Sequence, residues 1–448
     1  MNMPSSMALE LTFDPYAPLP ARRSLFADVA FVAFLLLIFV TLKPFAVRDV
    51  AALSLGDSGT GAGDVWRQVC YLTIFTALAA AAFQSVNSRI VTAVPPVLAL
   101  LLGWCLLTSL WSRTPDVAMR RAALEIVIAL SAMFGVHALG PGRALSLLRW
   151  LLGGILLVNF ASILLVHQAV HLPGESDRQL IGNWRGLYFH KNIAGAISAI
   201  TAILFFFRAL ETKRLAHWLI VVAAVFFTVM TRSKTSLALF PIALLSGVLF
   251  RVTRPRSLER WLVLTAIALV AALGALTLAT QLPVIERYLA DPTELTGRVA
   301  IWQAEFAFVR DHPLLGAGFG SFADTGALSP LYHYVADKWV RGEAHGHNAY
   351  LQMLVTIGGI GFALAVLALV VRPALAFRRL GSRSERMFYA PVFAIFVFEL
   401  FHNFFESDFL EGDGPAWVAF LLMLACLHVG RPTPIGVAAT LGPEWRAA

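Results

Sequence analysis

Apolar stretches of about 20 residues recur from one end of this chain to the other, and each is long enough to cross a hydrocarbon core as a helix. The windows run 25–42, 66–84, 90–111, 117–139, 145–167, 192–209, 216–231, 235–251, 259–281, 349–371, 387–403 and 415–429. No soluble domain hides that much apolar surface. The 448 residues are 58% hydrophobic and only 14% charged, with a mean hydropathy of +0.73. The pattern predicts an all-α integral membrane protein of about twelve transmembrane helices. Cys70, Cys105 and Cys426 all lie inside apolar runs, which fits buried packing residues better than disulfides or a zinc site. The first 24 residues are too polar and proline-rich for a cleaved signal peptide, so the first apolar run reads as a retained span.

The joints give the orientation, because Lys and Arg resist translocation and gather on the cytoplasmic side. With the N-terminus inside, the inner joints carry Arg22 and Arg23, then Arg208, Lys213 and Arg214, then "RVTRPRSLER" and "RPALAFRRLGSRSER", whereas "ESDFLEGDGP" falls outside. The expected organisation is an N-terminal cytoplasmic tail (1–24), nine spans (25–281), a long outer loop (282–348), three more spans (349–429) and a cytoplasmic C-terminal tail (430–448). Within the loop, Asp291-Pro292-Thr293-Glu294 reads as a helix start. Leu295, Val299, Trp302, Phe306 and Val309 then recur at helical spacing, predicting an amphipathic helix on the membrane surface or against the bundle. "HPLLGAGFGSF" follows. With no strand before it, the glycine run is a poor nucleotide fingerprint and reads as a tight turn with close backbone packing.

Several basic residues break the positive-inside rule. Arg185, His190 and Lys191 lie at the outer mouth of the sixth span, Arg232 and Lys234 in the tight outer turn "TRSKTS", Arg120 and Arg121 at the outer end of the fourth span, and Arg298 in the loop. Any one alone reads as a side chain snorkelling to water or lipid phosphate. Together they point to a polyanion site, and guanidinium forks match phosphate oxygens in two-point geometry. His347 sits where the chain re-enters the membrane. The positive end of a helix favours a neutral imidazole, the state a general base requires, although a histidine at a helix mouth is often a capping residue.

"HNAYLQMLVTIGGIG" fits the pattern His-Asn, nine residues, Gly, two residues, Gly, filled by His347, Asn348, Gly358 and Gly361. This resembles the O-antigen ligases within the ligase and polymerase superfamily. "TGRVAIWQAEFAFVRDHPLLGAGFGSF" and "GLYFHKNIAGAI" are similar to two further superfamily segments, so the resemblance covers about residues 180–365. It implies a metal-independent and cofactor-free glycosyltransferase of the inner membrane, active on the periplasmic side in lipopolysaccharide biosynthesis. The donor would be a glycan on undecaprenyl pyrophosphate and the acceptor a sugar hydroxyl of lipid A-core. Carried over by position, His347 becomes the base. Arg298, Arg232 and Arg185 would hold the pyrophosphate, joined by Lys191, Arg120 and Arg121. Asn348, His345, His190, Glu406 and Asp408 would support them. One functional carboxylate is expected in "FHNFFESDFLEGDG", where Glu406, Asp408 and Asp413 compete.

No Asp-x-Asp pair appears in the chain, which agrees with fixed cations rather than a metal neutralising the leaving group. Membrane lipids are the expected surroundings, and nucleic acid is not an expected partner. A glycan polymerase or a protein O-oligosaccharyltransferase of the same superfamily remains an alternative. A twelve-span transporter or flippase would be expected to show two similar halves, which this chain lacks.

Overall fold

The computed structural model describes residues 24–46, 65–85, 90–173, 180–253, 298–323, 325–335 and 346–430. Among them the chain is helical, with no strand and a single isolated bridge between Val170 and Trp184. In chain order the helices are α1 (Leu25–Phe39), α2 (Val65–Gln84), α3 (Pro96–Leu107), α4 (Pro115–Leu139), α5 (Pro141–Leu165), α6 (Lys191–Thr212), α7 (Leu215–Thr231), α8 (Lys234–Val252), α9 (Arg298–Asp311), α10 (Ala349–Ala365), α11 (Arg372–Arg379), α12 (Arg383–His402) and α13 (Pro415–Val429). Proline opens α3, α4, α5 and α13, where its missing N–H costs nothing and its fixed φ suits a first turn.

Helices fall on eleven of the twelve apolar windows; the ninth, 259–281, lies outside the described residues. Six are long and apolar enough to cross a membrane: α2, α4, α5, α6, α8 and the continuous stretch Ala349–Arg379, where α10 passes through a π-helical turn into α11. The shorter helices α1, α3 with its 3-10 extension, α7 and α13 are predominantly apolar. The chain is therefore a multi-pass membrane protein. α6 and α13 form its centre. Ala194–Phe205 and Pro415–Leu427 are buried without a break, as expected of helices that are apolar all round.

Glycines decide how the loop after α9 meets the bundle. In α10 the ladder breaks at Gly358, which adopts φ 68° and ψ −178°. A backbone break inside a bilayer strands polar groups, which must find partners within the protein. The segment 313–320 supplies them. Ala317 N donates to Val355 O (2.8 Å), Gly318 N to Thr356 O (2.9 Å), and Gly359 N to Pro313 O (2.9 Å). Trp104 Nε1 takes the Ile357 carbonyl at 2.9 Å. A Cβ at Gly358 would collide with the Leu314 carbonyl, and one at Gly361 with the Trp104 indole. The two glycines of the motif are thus the positions where loop and tryptophan approach the broken helix.

Beyond that seam Ala304, Phe308, Ala317, Phe322, Ala323 and Leu331 close a small separate core over Val355 of α10. The face that α9 buries follows the expected stripe only in part. Val299 is buried and Trp302 and Val309 are half-buried, but Phe306 is 63% exposed. The inward stripe is Ile301, Ala304, Glu305 and Phe308. A buried glutamate interrupts the apolar periodicity, so the apolar residues alone do not mark the whole buried stripe. Asp291 and Leu295 lie outside the described residues.

Candidate functional site

The ends of α4, α6, α8, α10 and α12 meet the loop after α9 at one end of the bundle. His347 stands at their centre. It precedes α10 in the left-handed region at φ 52°, a conformation that a residue bearing a Cβ occupies at a cost and that clusters at functional sites. Its neighbours hold it there. Asn348 is the N-cap, its Oδ1 accepting from Leu351 N at 3.0 Å. Ala349 N is shared between the carbonyls of Asn403 (2.9 Å) and Glu406 (3.0 Å). On the other side, Trp302 Nε1 donates to Gly346 O at 2.6 Å, and a Cβ on Gly346 would collide with the Glu305 carboxyl.

The three competing carboxylates separate in space. Glu406 faces the histidine: its Oε2 lies 3.4 Å from His347 Nδ1, and its Oε1 accepts from Asn192 Nδ2 at 2.7 Å. Asp408 bonds His402 Nδ1 at 2.7 Å. Asp413 pairs with Arg67 and accepts from the Tyr71 hydroxyl at 2.6 Å. Glu125 of α4 fixes the loop carrying all three. Its two oxygens accept from Gly412 N (2.8 Å) and Trp417 Nε1 (2.7 Å).

The basic residues divide in the same way. Arg232 and Lys234 are exposed, and neither side chain makes a hydrogen bond or ion pair among the described residues. Arg232 adopts φ 50° at the end of α7. Arg185 is different: it is 1% exposed, with Nε donating to Gln168 O (2.6 Å) and Nη1 to the carbonyls of Phe189 (3.0 Å) and Ala46 (3.4 Å). Arg121 Nη1 donates to the Gly320 carbonyl in the glycine-rich loop. Arg120 is exposed, its Nε on Asp116 O at 3.1 Å. Lys191 opens α6, its backbone N–H donating to His171 Nε2 at 3.2 Å. His190 caps that helix through Nδ1, which accepts from Asn192 N at 3.2 Å. Burial pulls the His190 imidazole down to about 3, against the opposing pull of Glu406, so it is neutral and stays an acceptor. Arg298 begins α9, but its side chain and all of His345 lie outside the described residues.

Two features were not singled out from sequence. Glu305 is buried and one of its carboxyl oxygens has no hydrogen-bond partner; burial pushes it up to about 8. Ser236, His402 and Asp408 form a buried chain, with Ser236 Oγ 3.3 Å from His402 Nε2. With Glu399 in place of Ser236, the same histidine and aspartate bring three potential ligand atoms within 4.8 Å of one another, although His402 Nδ1 is already taken by Asp408.

One set of helix mouths in this polytopic bundle thus carries a histidine, a carboxylate and, among the described residues, two cations without a side-chain partner, Arg232 and Lys234. Residues 219–366 match the family model described as O-antigen ligase, a domain match that supports the O-antigen ligase family. The match takes in Arg232, Arg298, His347, Gly358 and Gly361 and leaves Arg185, Glu406 and Asp408 outside it. No curated protein matches the chain.

Proposed function

We propose that this protein is an O-antigen ligase. It transfers a glycan from undecaprenyl pyrophosphate to a sugar hydroxyl of lipid A-core at the periplasmic face of the inner membrane. The observation that carries the reading is His347, held left-handed at the mouth of α10 with the Glu406 carboxylate on Nδ1, inside the matched domain. A carboxylate on Nδ1 favours the tautomer with hydrogen there and leaves the Nε2 lone pair free. Nε2 removes the proton of the acceptor hydroxyl as its oxygen attacks the anomeric carbon. The bond to the pyrophosphate oxygen breaks, and the leaving group takes the negative charge. Arg232, with Arg298 at the start of α9, meets that charge; donors already in place lower the barrier because no reorganisation is needed when the bond breaks. Arg185, with Nε and Nη1 on backbone carbonyls, is assigned to holding the loop in front of α6. The reaction needs no metal in this scheme.

A polymerase of the same superfamily would share the donor half of this site. Purified protein supplied with undecaprenyl-pyrophosphate glycan and lipid A-core separates the two. A ligase forms glycan-capped core and no longer lipid-linked chain, and the reverse product pattern would overturn the assignment.

A further inference from the structure

The Arg232 turn is tied to the acidic loop by one buried run of hydrogen bonds. Asp408 Oδ2 lies 2.7 Å from His402 Nδ1, His402 Nε2 lies 3.3 Å from Ser236 Oγ, and Ser236 Oγ accepts from the Ser233 hydroxyl at 3.0 Å. The donors can be assigned in one direction throughout. Ser233 gives its hydroxyl hydrogen to Ser236, Ser236 gives its own to Nε2, and the ring hydrogen on Nδ1 goes to the carboxylate. Ser233 follows Arg232 directly.

The order serine, histidine, aspartate is that of a hydrolytic triad, but its surroundings rule out a nucleophile. Ser236 is fully buried, His402 is 1% exposed, and the serine oxygen already serves two neighbours. What the chain does hold is a strained turn. Arg232 ends α7 at φ 50°, a place usually filled by Gly or Asn because a Cβ is disfavoured there. Ser233 stands at the N-cap of α8 but makes no side-chain cap bond, since its hydroxyl goes to Ser236. Its N–H donates to Thr231 Oγ1 at 3.2 Å. α6 closes the other side, where a Cβ at Gly195 would lie 2.6 Å from that of Ser233.

We infer that His402, oriented by Asp408, is a positioning residue that fixes the Arg232 turn relative to the loop bearing Glu406, and so holds the anion-binding guanidinium and the His347 base in one frame. The inference rests on the proposed reading for what Arg232 binds, but not for the link itself. Geometry of this kind matters because a small misplacement of a binding group costs far more in rate than in stability.

The test uses the full-length protein in detergent, with Ser236→Ala and Asp408→Asn as variants small enough to keep the fold and His402→Ala as the full break. Backbone hydrogen exchange across residues 230–237 should speed up in all three, with the body of α6 unchanged. The donor KM should rise about tenfold, the usual scale for one lost hydrogen bond at a charged group, with the acceptor KM unmoved. In an Arg232→Lys background the His402→Ala effect on donor KM should largely vanish, because both act through one guanidinium. Unchanged exchange would overturn the link. Faster exchange with fully additive KM losses would overturn action through Arg232. If Arg232→Lys alone left donor KM at the wild-type value, the anion-binding role of Arg232 would fail while the exchange result still judged the link.

Discussion

Arg185 and Arg232 sit at the same end of the bundle, each in a short segment that enters the next helix, and sequence gives them the same expected partner. Their surroundings are opposite. Arg185 is buried in its own loop, with Nε on the carbonyl of Gln168 and Nη1 on those of Phe189 and Ala46, tying the segment after α1 to the one before α6. Arg232 is exposed on a strained turn and meets no acceptor among the described residues. The difference shows that an out-of-place arginine has two physical solutions. Either the backbone supplies the acceptors and the residue becomes structural, or the acceptors are left for a ligand.

The comparison has force only if both segments face the donor. A phosphatase reporter fused at Ala327, in the loop after α9, is expected to be active, while a fluorescent reporter that matures only in the cytoplasm stays dark. The opposite result would place both arginines on the wrong side of the membrane and end the mechanism. The next largest effect is at the proposed base. His347→Ala should abolish transfer and leave donor binding and folding intact, since the imidazole acts on the acceptor hydroxyl. His347→Gln can keep a hydrogen bond but cannot take the proton; turnover near wild type in that variant would remove His347 as the base. His345→Ala should be much milder.

The two arginines can then be set against each other directly. Arg232→Lys keeps the charge and loses the fork, so turnover should fall roughly tenfold to a hundredfold, from about 1.5 to 3 kcal/mol per charged hydrogen bond, with the thermal midpoint unmoved. Arg185→Lys should do the reverse in kind. An ammonium cannot reach three carbonyls, so the midpoint should drop by several degrees, and any loss of activity should track the loss of folded protein. If both variants lost turnover equally at unchanged midpoint, the distinction between them would collapse.

How far sequence could see this follows from where each determinant lives. Apolar windows are local, so helices appear where the windows fall, and the motif glycines mark places where a Cβ would strike another segment, as Gly358 and Gly361 show. The choice among Glu406, Asp408 and Asp413 is not local. It depends on Asn192, His402 and Arg67, which reach the acidic loop only through tertiary packing. The link from His402 to Ser236 spans 166 residues. Its trace in the sequence is faint: a histidine closing an apolar run and serines opening one, polar groups that must find partners once buried. Apolar periodicity does not mark the whole buried stripe of α9 for a related reason, because the residue that turns inward with Ile301 and Phe308 is a glutamate.

That glutamate gives the smallest expected effect and sharpens the opening contrast. Arg185 is a buried ion whose Nε and Nη1 are bonded to carbonyls; Glu305 is a buried carboxyl, 1% exposed, with one oxygen left without a hydrogen-bond partner. Its pKa rises from an ordinary 4.5 to about 8 because burial disfavours the charged form. The sign follows from proton counting. Between those values the folded protein holds a proton that the unfolded chain has released, so Glu305 costs nothing below pH 4.5 and costs more with each unit up to about 8, after which the cost is constant. Glu305→Gln keeps the shape and abolishes the titration. The variant should match wild type at pH 4.5 and exceed it by a few kcal/mol near pH 8, at roughly 1.4 kcal/mol per pH unit as an upper bound, read as a midpoint difference that widens with pH. A difference independent of pH would mean that Glu305 is ionised and paired in the folded protein. The carboxyl packed against Gly346 would then be a buried ion with a partner, like Arg185, and the contrast between the two buried groups would be lost.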